Sequence, residues 1–425
     1  MAQLATGNSP AASLPRRFLL SMPLWGMLAG GLLMVGGDAL LRSRWTAVTL
    51  ALVHIFTLGV LGNAMLRSLL QFLPVAAGVQ VRGNVTVAPW LHGLFNLGVL
   101  ALVAGLHQEW QPALITAALL LPLAFLLIAA MTLPGLLAGA RKHLVRAGFG
   151  MAIVFALITA WLGGALALML GGQLALPLMQ STDVHASFGV LGWVIVLIAT
   201  VARVVMPMFQ GTDSVPAPAQ ATWLCSVLLT LPAASWWYYA GGSSVWLAGV
   251  VAVHTLLFAG AALWLQWRAP RLRRTPLMWS WRVGLLGLAL AALALPGGMQ
   301  FGLLSAVLAL GLALPLLVLG MAQEIVAFVE WIDMRKQCHA VPVPGVHQLL
   351  PERDKKRVLL TQLPLWCLLP AAALWPSAWL ARMAGLALMV VWLGVSLTLL
   401  GVRRRARRFL LRDAIRRVNF DVAQS

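Results

Sequence analysis

The residues best suited to chemistry are three histidines set in long apolar runs: His54, His185 and His254. Imidazole ligates iron and copper and carries protons near neutral pH. An ionisable group inside hydrocarbon is a functional candidate by default, because leaving it unpartnered there is costly. His54 and His185 open related stretches, His54-IFTLGVLGNAMLRSLLQFL-Pro74 and His185-ASFGVLGWVIVLIATVARVVM-Pro207. Each has GVLG a turn after the histidine and a proline at the far end. Glycines one turn from an imidazole leave room for a flat macrocycle or a neighbouring helix. His254 lies about ten residues into its own run and lacks the GVLG context. His92 opens a run from the other side, while His107, His143, His339 and His347 fall in or beside loops and read as solvated.

A second signal is a polar set deeper in the same runs: Arg67, Gln71, Arg203, Arg282, Gln323 and Glu324. His185 and Arg203 are five helical turns apart and so share one helix face. The structural expectation is that Glu324 neutralises Arg67 or Arg203. Its functional competitor is propionate binding or proton conduction.

These residues need a membrane scaffold to hold them. The 425 residues are 61% hydrophobic and 10% charged, with a mean hydropathy of +0.90. That is too apolar for a water-soluble chain and excludes a secreted, disordered or nucleic-acid-reading protein. A spanning helix takes about 20 apolar residues, and apolar runs lie near 18–36, 46–75, 89–107, 112–137, 147–171, 184–209, 221–240, 244–267, 278–297, 300–329, 358–376 and 379–402. The fold class expected is therefore all-α: a polytopic membrane protein of about twelve transmembrane helices. Residues 1–17 read as a cytoplasmic leader, 18–402 as one transmembrane domain and 403–425 as a basic cytoplasmic tail. The first run reads as a retained span, since no small-residue cleavage site follows it.

The net charge of +19 has a topological reading. With the N-terminus inside, 24 of the 30 Lys and Arg residues fall on the cytoplasmic side, whereas the opposite face receives Arg42, Arg44 and Arg382. The positive-inside rule then places both termini in the cytoplasm. The tail RRRARRFLLRDAIRRVNFDV interleaves cations with apolar residues and suits an interfacial helix on anionic lipid. Cys225, Cys338 and Cys367 are scattered without a CxxC pair, so no disulfide framework or cysteine zinc site is expected. The segments outside the runs are too short for a soluble catalytic domain, so any chemistry belongs to the bundle or its rim.

The second and sixth runs match in pattern, and the tenth ends in a related way with Gln323-Glu324-Ile325-Val326-Ala327-Phe328-Val329-Glu330-Trp331. Runs two, six and ten would then be equivalent members of three pseudo-symmetric four-helix units. On these residues the chain resembles the haem-copper oxidase subunit I superfamily and the NnrS-like haem- and copper-containing membrane proteins. His54 matches the position of a low-spin haem ligand, His185-ASFGVLGW a metal-ligand segment, and the Gly320–Trp331 stretch with Val343-Pro344-Gly345-Val346-His347 the tenth-span region. The resemblance implies His54, His185 and His254 as cofactor-binding residues, with His54 and His185 the metal ligands. The cofactors implied are haem b or copper.

The chain also departs from that pattern. The oxidase signature has adjacent histidines on the seventh span and a His-x-His on the tenth; here those runs have none. A haem on His54 would take His185, His254 or a methionine such as Met65 or Met299 opposite. The resemblance therefore implies electron transfer, metal handling or a response to nitric oxide, not oxygen reduction. Its partners would be the bilayer and a redox partner or respiratory subunit, with homo-oligomers open. A transporter or channel lined by the buried His, Arg and Glu residues is the competing class, and a cofactor-free structural subunit a third.

Overall fold

The computed structural model describes residues 13–83, 86–138, 143–338 and 342–424. The first twelve residues of the leader, Arg141, Lys142 and His339 lie outside them, as do the side chains of Met299 and of the tail beyond Arg412. A backbone crossing hydrocarbon must hydrogen-bond to itself, which here means helices. Among the described residues there are no strands, and twelve helical rods run in sequence.

These are α1 (Ser13–Gly36), α2 (Ala47–Val75), α3 (Ala88–Gln108), α4 (Gln111–Leu137), α5 (His143–Leu170), α6 (Leu178–Gln210), α7 (Ala217–Tyr239), α8 (Ser244–Trp267), α9 (Pro276–Ala294), α10 (Phe301–Gln337), α11 (Glu352–Leu374) and α12 (Ala378–Gln424). Eleven are long and apolar enough to span a bilayer. The exception is α7, whose 23 residues are long enough but include Gln220, Thr222, Ser226, Thr230 and Ser235. Turn chemistry fixes several starts: Thr46, Ser243 and Thr275 accept a hydrogen bond from a first-turn N–H of α2, α8 and α9.

Several helix ends extend past the expected runs, as at Ser13 and Leu178, and two of them change the polar contacts. Helix α10 continues eight residues past 329, and α11 begins at Glu352 instead of 358. Part of the expected loop is thus helix, and Lys355 sits in the first turns of α11. The basic tail continues α12 without a break.

Consecutive helices pack side by side, and α12 returns against α1, so the bundle closes on itself. Helices α2, α6 and α10 are the most buried, with 67%, 67% and 61% of their most apolar window inside the protein. They meet around a small cavity of about 60 Å³ lined by Met65, Arg67, Val201, Trp281 and Met321.

These inner helices share a backbone feature that periodicity does not reveal. Each contains a π-helical segment: Ile55–Gly62, Phe188–Ile195 and Val307–Ala313. Such segments insert an extra residue per turn and recur at functional sites. In all three the fourth and fifth residues are Leu-Gly, namely Leu58-Gly59, Leu191-Gly192 and Leu310-Gly311. A Cβ on Gly59 would lie 2.6 Å from Trp25, and one on Gly192 would lie 2.8 Å from Phe155. The inner helix therefore lies directly on the helix before it. A second π turn closes both α2 (Leu73–Ala77) and α6 (Met206–Gln210), with Pro74 and Pro207 in second place. Left-handed Gly78 and Gly211 follow, at φ +63° and +75°.

The structural register therefore aligns Gly59 with Gly192, the first glycine of one GVLG with the last of the other. The sequence match was three residues out. His54 immediately precedes its π segment, whereas His185 stands three residues before its own.

Candidate metal centre

His54 and His185 come together across the α2–α6 interface with ring centroids 6.2 Å apart and planes inclined by 27°. Both rings are half-buried. His54 Nδ1 is 2.8 Å from the Leu50 carbonyl on its own helix. His185 Nδ1 is 3.0 Å from the Thr159 carbonyl on α5. A carbonyl oxygen only accepts, so each Nδ1 carries the proton and each Nε2 presents its lone pair. Among the described residues no hydrogen-bond partner meets either Nε2. Metal-ligating histidines show this pattern, with one nitrogen donating to a carbonyl and the other free to ligate.

Helix α5 shapes the place of the His185 ring. Thr159 and Gly163 lie one turn apart on the same face; the first supplies the carbonyl, and a Cβ on the second would lie 2.8 Å from His185 Cε1. The ring thus occupies space that only glycine leaves. Metal–nitrogen bonds of about 2.0–2.1 Å, plus roughly 1 Å from each nitrogen to its ring centre, place two imidazoles on opposite sides of one metal roughly 6 Å apart. The observed separation fits. Among the described residues no cluster of three or more His, Cys, Asp or Glu side chains has a metal-binding arrangement, so the candidate donors here are the two imidazoles. That set suits a copper ion or an iron carried by a macrocycle.

Near the pair lies a charged network that sequence reasoning missed. Asp183, two residues before His185, binds Arg44 at 2.5 Å and lies 3.5 Å from the Tyr238 hydroxyl. Arg44 also stacks on Trp45, 4.2 Å from the ring centre. This ties the α1–α2 connection to α6 and α7. Arg44 reads in the sequence as an ordinary loop cation, and the only hint of the network is an acid two residues before a histidine in Thr182-Asp183-Val184-His185.

The other candidates lie apart from the pair. His254 is buried between α7 and α8 with both ring nitrogens taken: Nδ1–H donates to Val250 at 2.8 Å, and Nε2 lies 2.9 Å from the Ser226 hydroxyl. Within that arrangement it has no lone pair free to ligate. Met65 lines the central cavity instead of facing either histidine.

The polar set is also rearranged relative to expectation. Glu324 pairs with Lys355 at 2.7 Å, their side chains 9% and 2% exposed, and not with Arg67 or Arg203. Lys355 prevails because α11 starts earlier than hydropathy implies and brings the ammonium inside. Arg67 borders the central cavity with Glu330 as its nearby carboxylate. Arg203 donates to the Val215 carbonyl at 2.6 Å and to Gln220 Oε1 at 2.7 Å. Gln71 and Gln323 are buried, and Gln71 Oε1 and Gln323 Nε2 have no hydrogen-bond partner among the described residues. Arg282 donates to Gln266 at 3.3 Å.

A polar zipper joins the first three helices. Trp25 donates to Asn96 at 2.8 Å, Asn63 and Asn96 exchange amide hydrogen bonds at 3.1 Å, and His92 lies 2.9 Å from the Ser21 hydroxyl. His92 is thus engaged well away from the pair. No family model matches the chain, and no curated protein matches it.

Proposed function

We propose that this is a bacterial inner-membrane protein that holds one redox-active metal, a copper ion or a haem iron, between His54 and His185. The observation that carries this reading is the pair itself: two imidazoles at metal-sharing distance, each with Nδ1 fixed on a carbonyl and Nε2 left free. Such a metal supplies one-electron redox chemistry. The polypeptide's part is to orient both rings through Leu50, Thr159 and Gly163, and to hold the Arg44–Asp183 pair close by.

Kinship with the haem-copper oxidase subunit I and NnrS-like proteins is part of the same proposal and rests on the sequence resemblance of the stretches that begin at His54 and His185. The role that follows is electron transfer, metal handling or a nitric-oxide response, in contact with a redox partner. Oxygen reduction is disfavoured because the tenth helix brings no histidine to the pair. The basic loops support cytoplasmic termini.

Absorption spectra of detergent-purified protein, oxidised and then dithionite-reduced, test this reading. A Soret band that sharpens on reduction identifies haem. Bound copper without a Soret band identifies the ion. Protein carrying neither after expression with both supplied would refute the proposal.

A further inference from the structure

A second and larger cavity than the central one lies away from the histidine pair, among α6, α7 and α8. Its volume is about 450 Å³, within the range of small-molecule sites. Most of its wall is apolar and includes Met206, Phe258, Ala261 and Leu265. Of the lining residues, Thr222 and Leu257 are exposed on the flank of the bundle, Leu257 by 55%, and Asp213, Ser214 and Ala219 are exposed at the α6–α7 connection. The cavity therefore opens both on the flank of α7 and α8 and at the α6–α7 connection, a shape that suits a ligand with an apolar chain and a polar head.

One end of the cavity is polar, and its donors outnumber its acceptors. Arg203 uses Nη1 on Val215 and Gln220, which leaves its other N–H groups directed to no described residue. Gln220 is 5% exposed; its Oε1 accepts from Arg203, while its Nε2 is buried and has no partner. A buried amide donor without an acceptor is costly, and such orphans mark an absent ligand or water. The first turn of α7 lies at the same end through Ala219 and Gln220, and the positive end of a helix dipole favours negative charge there. The carboxylate among the lining residues, Asp213, is exposed, so its charge is solvated. The remaining polar groups of the wall are Ser214, Thr222, Trp223 and Ser226. Trp223 donates to the His254 carbonyl at 3.2 Å and Ser226 lies against the His254 ring, so His254 braces this wall from behind. That assigns the third histidine a structural task.

We infer that this cavity binds an acyl lipid, with the chain in the apolar sleeve and an anionic oxygen of the head group, phosphate or carboxylate, held by Arg203 and Gln220. The polarity of α7 follows from the same demand: a helix that supplies the polar end of a lipid site cannot be uniformly apolar.

Photoreactive probes distinguish the source of the head group. Full-length protein in mild detergent is irradiated with diazirine-bearing phosphatidylglycerol, phosphatidylethanolamine or palmitate, and the labelled peptides are mapped. Adducts on α6–α8 peptides are expected, from the phospholipid probes if a phosphate is recognised and from palmitate if a carboxylate is. Arg203→Gln should cut that labelling by about tenfold, as expected for loss of a charge-assisted hydrogen bond. Ala261→Phe should block it by filling the sleeve while leaving Arg203 in place. Unchanged labelling in Ala261→Phe would overturn the proposal, even if Arg203→Gln failed to fold. Absence of α6–α8 adducts from every anionic probe, or labelling there by a diazirine quinone instead, would also overturn it.

Discussion

At the scale of single residues, burial decides which polar groups are structural and which are left available. The Glu324–Lys355 pair shows the first kind. Each charge is withdrawn from water and compensated by the other, with the exposed Glu352 a second partner of Lys355 at 3.3 Å, so removing Lys355 leaves Glu324 buried alone. Lys355→Met should destabilise the protein by about 3–5 kcal/mol, whereas Lys355→Met with Glu324→Leu should recover most of that loss. Thermal unfolding in detergent for the two single variants and the double variant measures the coupling. A double variant no more stable than Lys355→Met would show that the pair is not the source of the effect. The histidine pair shows the second kind, for its free Nε2 atoms have no structural use within the described residues.

The candidates His54 and His185 are legible in the sequence because a histidine in a run of leucine and valine stands out chemically. The partners of the charged groups are not. Which carboxylate meets which cation depends on helix ends, and hydropathy misplaced the start of α11 by enough to hide Lys355 among loop residues. Arg44 was hidden in the same way, as a rim cation whose partner lies 139 residues away.

At the scale of elements, glycine positions set how closely helices approach, and so where the rings lie. Gly163 on α5 is the sharpest case. Gly163→Val should displace the His185 ring and lower the content of bound metal nearly as much as loss of His185 itself, with His54 untouched. Gly31→Ala on α1 is the control: nothing lies within 4 Å of its Cβ position, so stability should hold or rise by about 0.5–1 kcal/mol. Metal content and melting temperature of both variants check this. Full metal occupancy in Gly163→Val would show that α5 does not position the ring.

Spanning a bilayer imposes a length, and eleven of the twelve rods are apolar enough to span, so the all-α bundle was readable from apolar run length. The π segments were not. One extra residue in a turn leaves no mark in composition, and the GVLG match, though it pointed to the right helices, was out of register. The Leu-Gly step common to α2, α6 and α10 is too short to be recognised before the backbone is known.

For the whole molecule, α12 runs antiparallel to α1, with Trp392 at Gly26, Gly385 at Gly30 and Ala378 at Gly37, so the start of α1 and the far end of α12 lie at the same end of the bundle, which takes an even number of crossings. Twelve rods satisfy that only if α7 crosses despite its polarity. Reporter fusions after residues 215, 242 and 425 should place the first and last on the same side and the second opposite. Residue 242 on the same side as 215 would mean that α7 does not span. In the proposed topology, which rests on the charge bias of the loops, that shared side is the cytoplasm.

The central claim concerns the two imidazoles, and metal content per chain addresses it most directly. Elemental analysis by mass spectrometry, on protein purified identically as wild type, His54→Ala, His185→Ala and His254→Ala, should find a single metal equivalent in wild type and in His254→Ala, and almost none in the other two. Metal retained at the wild-type level in His54→Ala or His185→Ala would contradict the account.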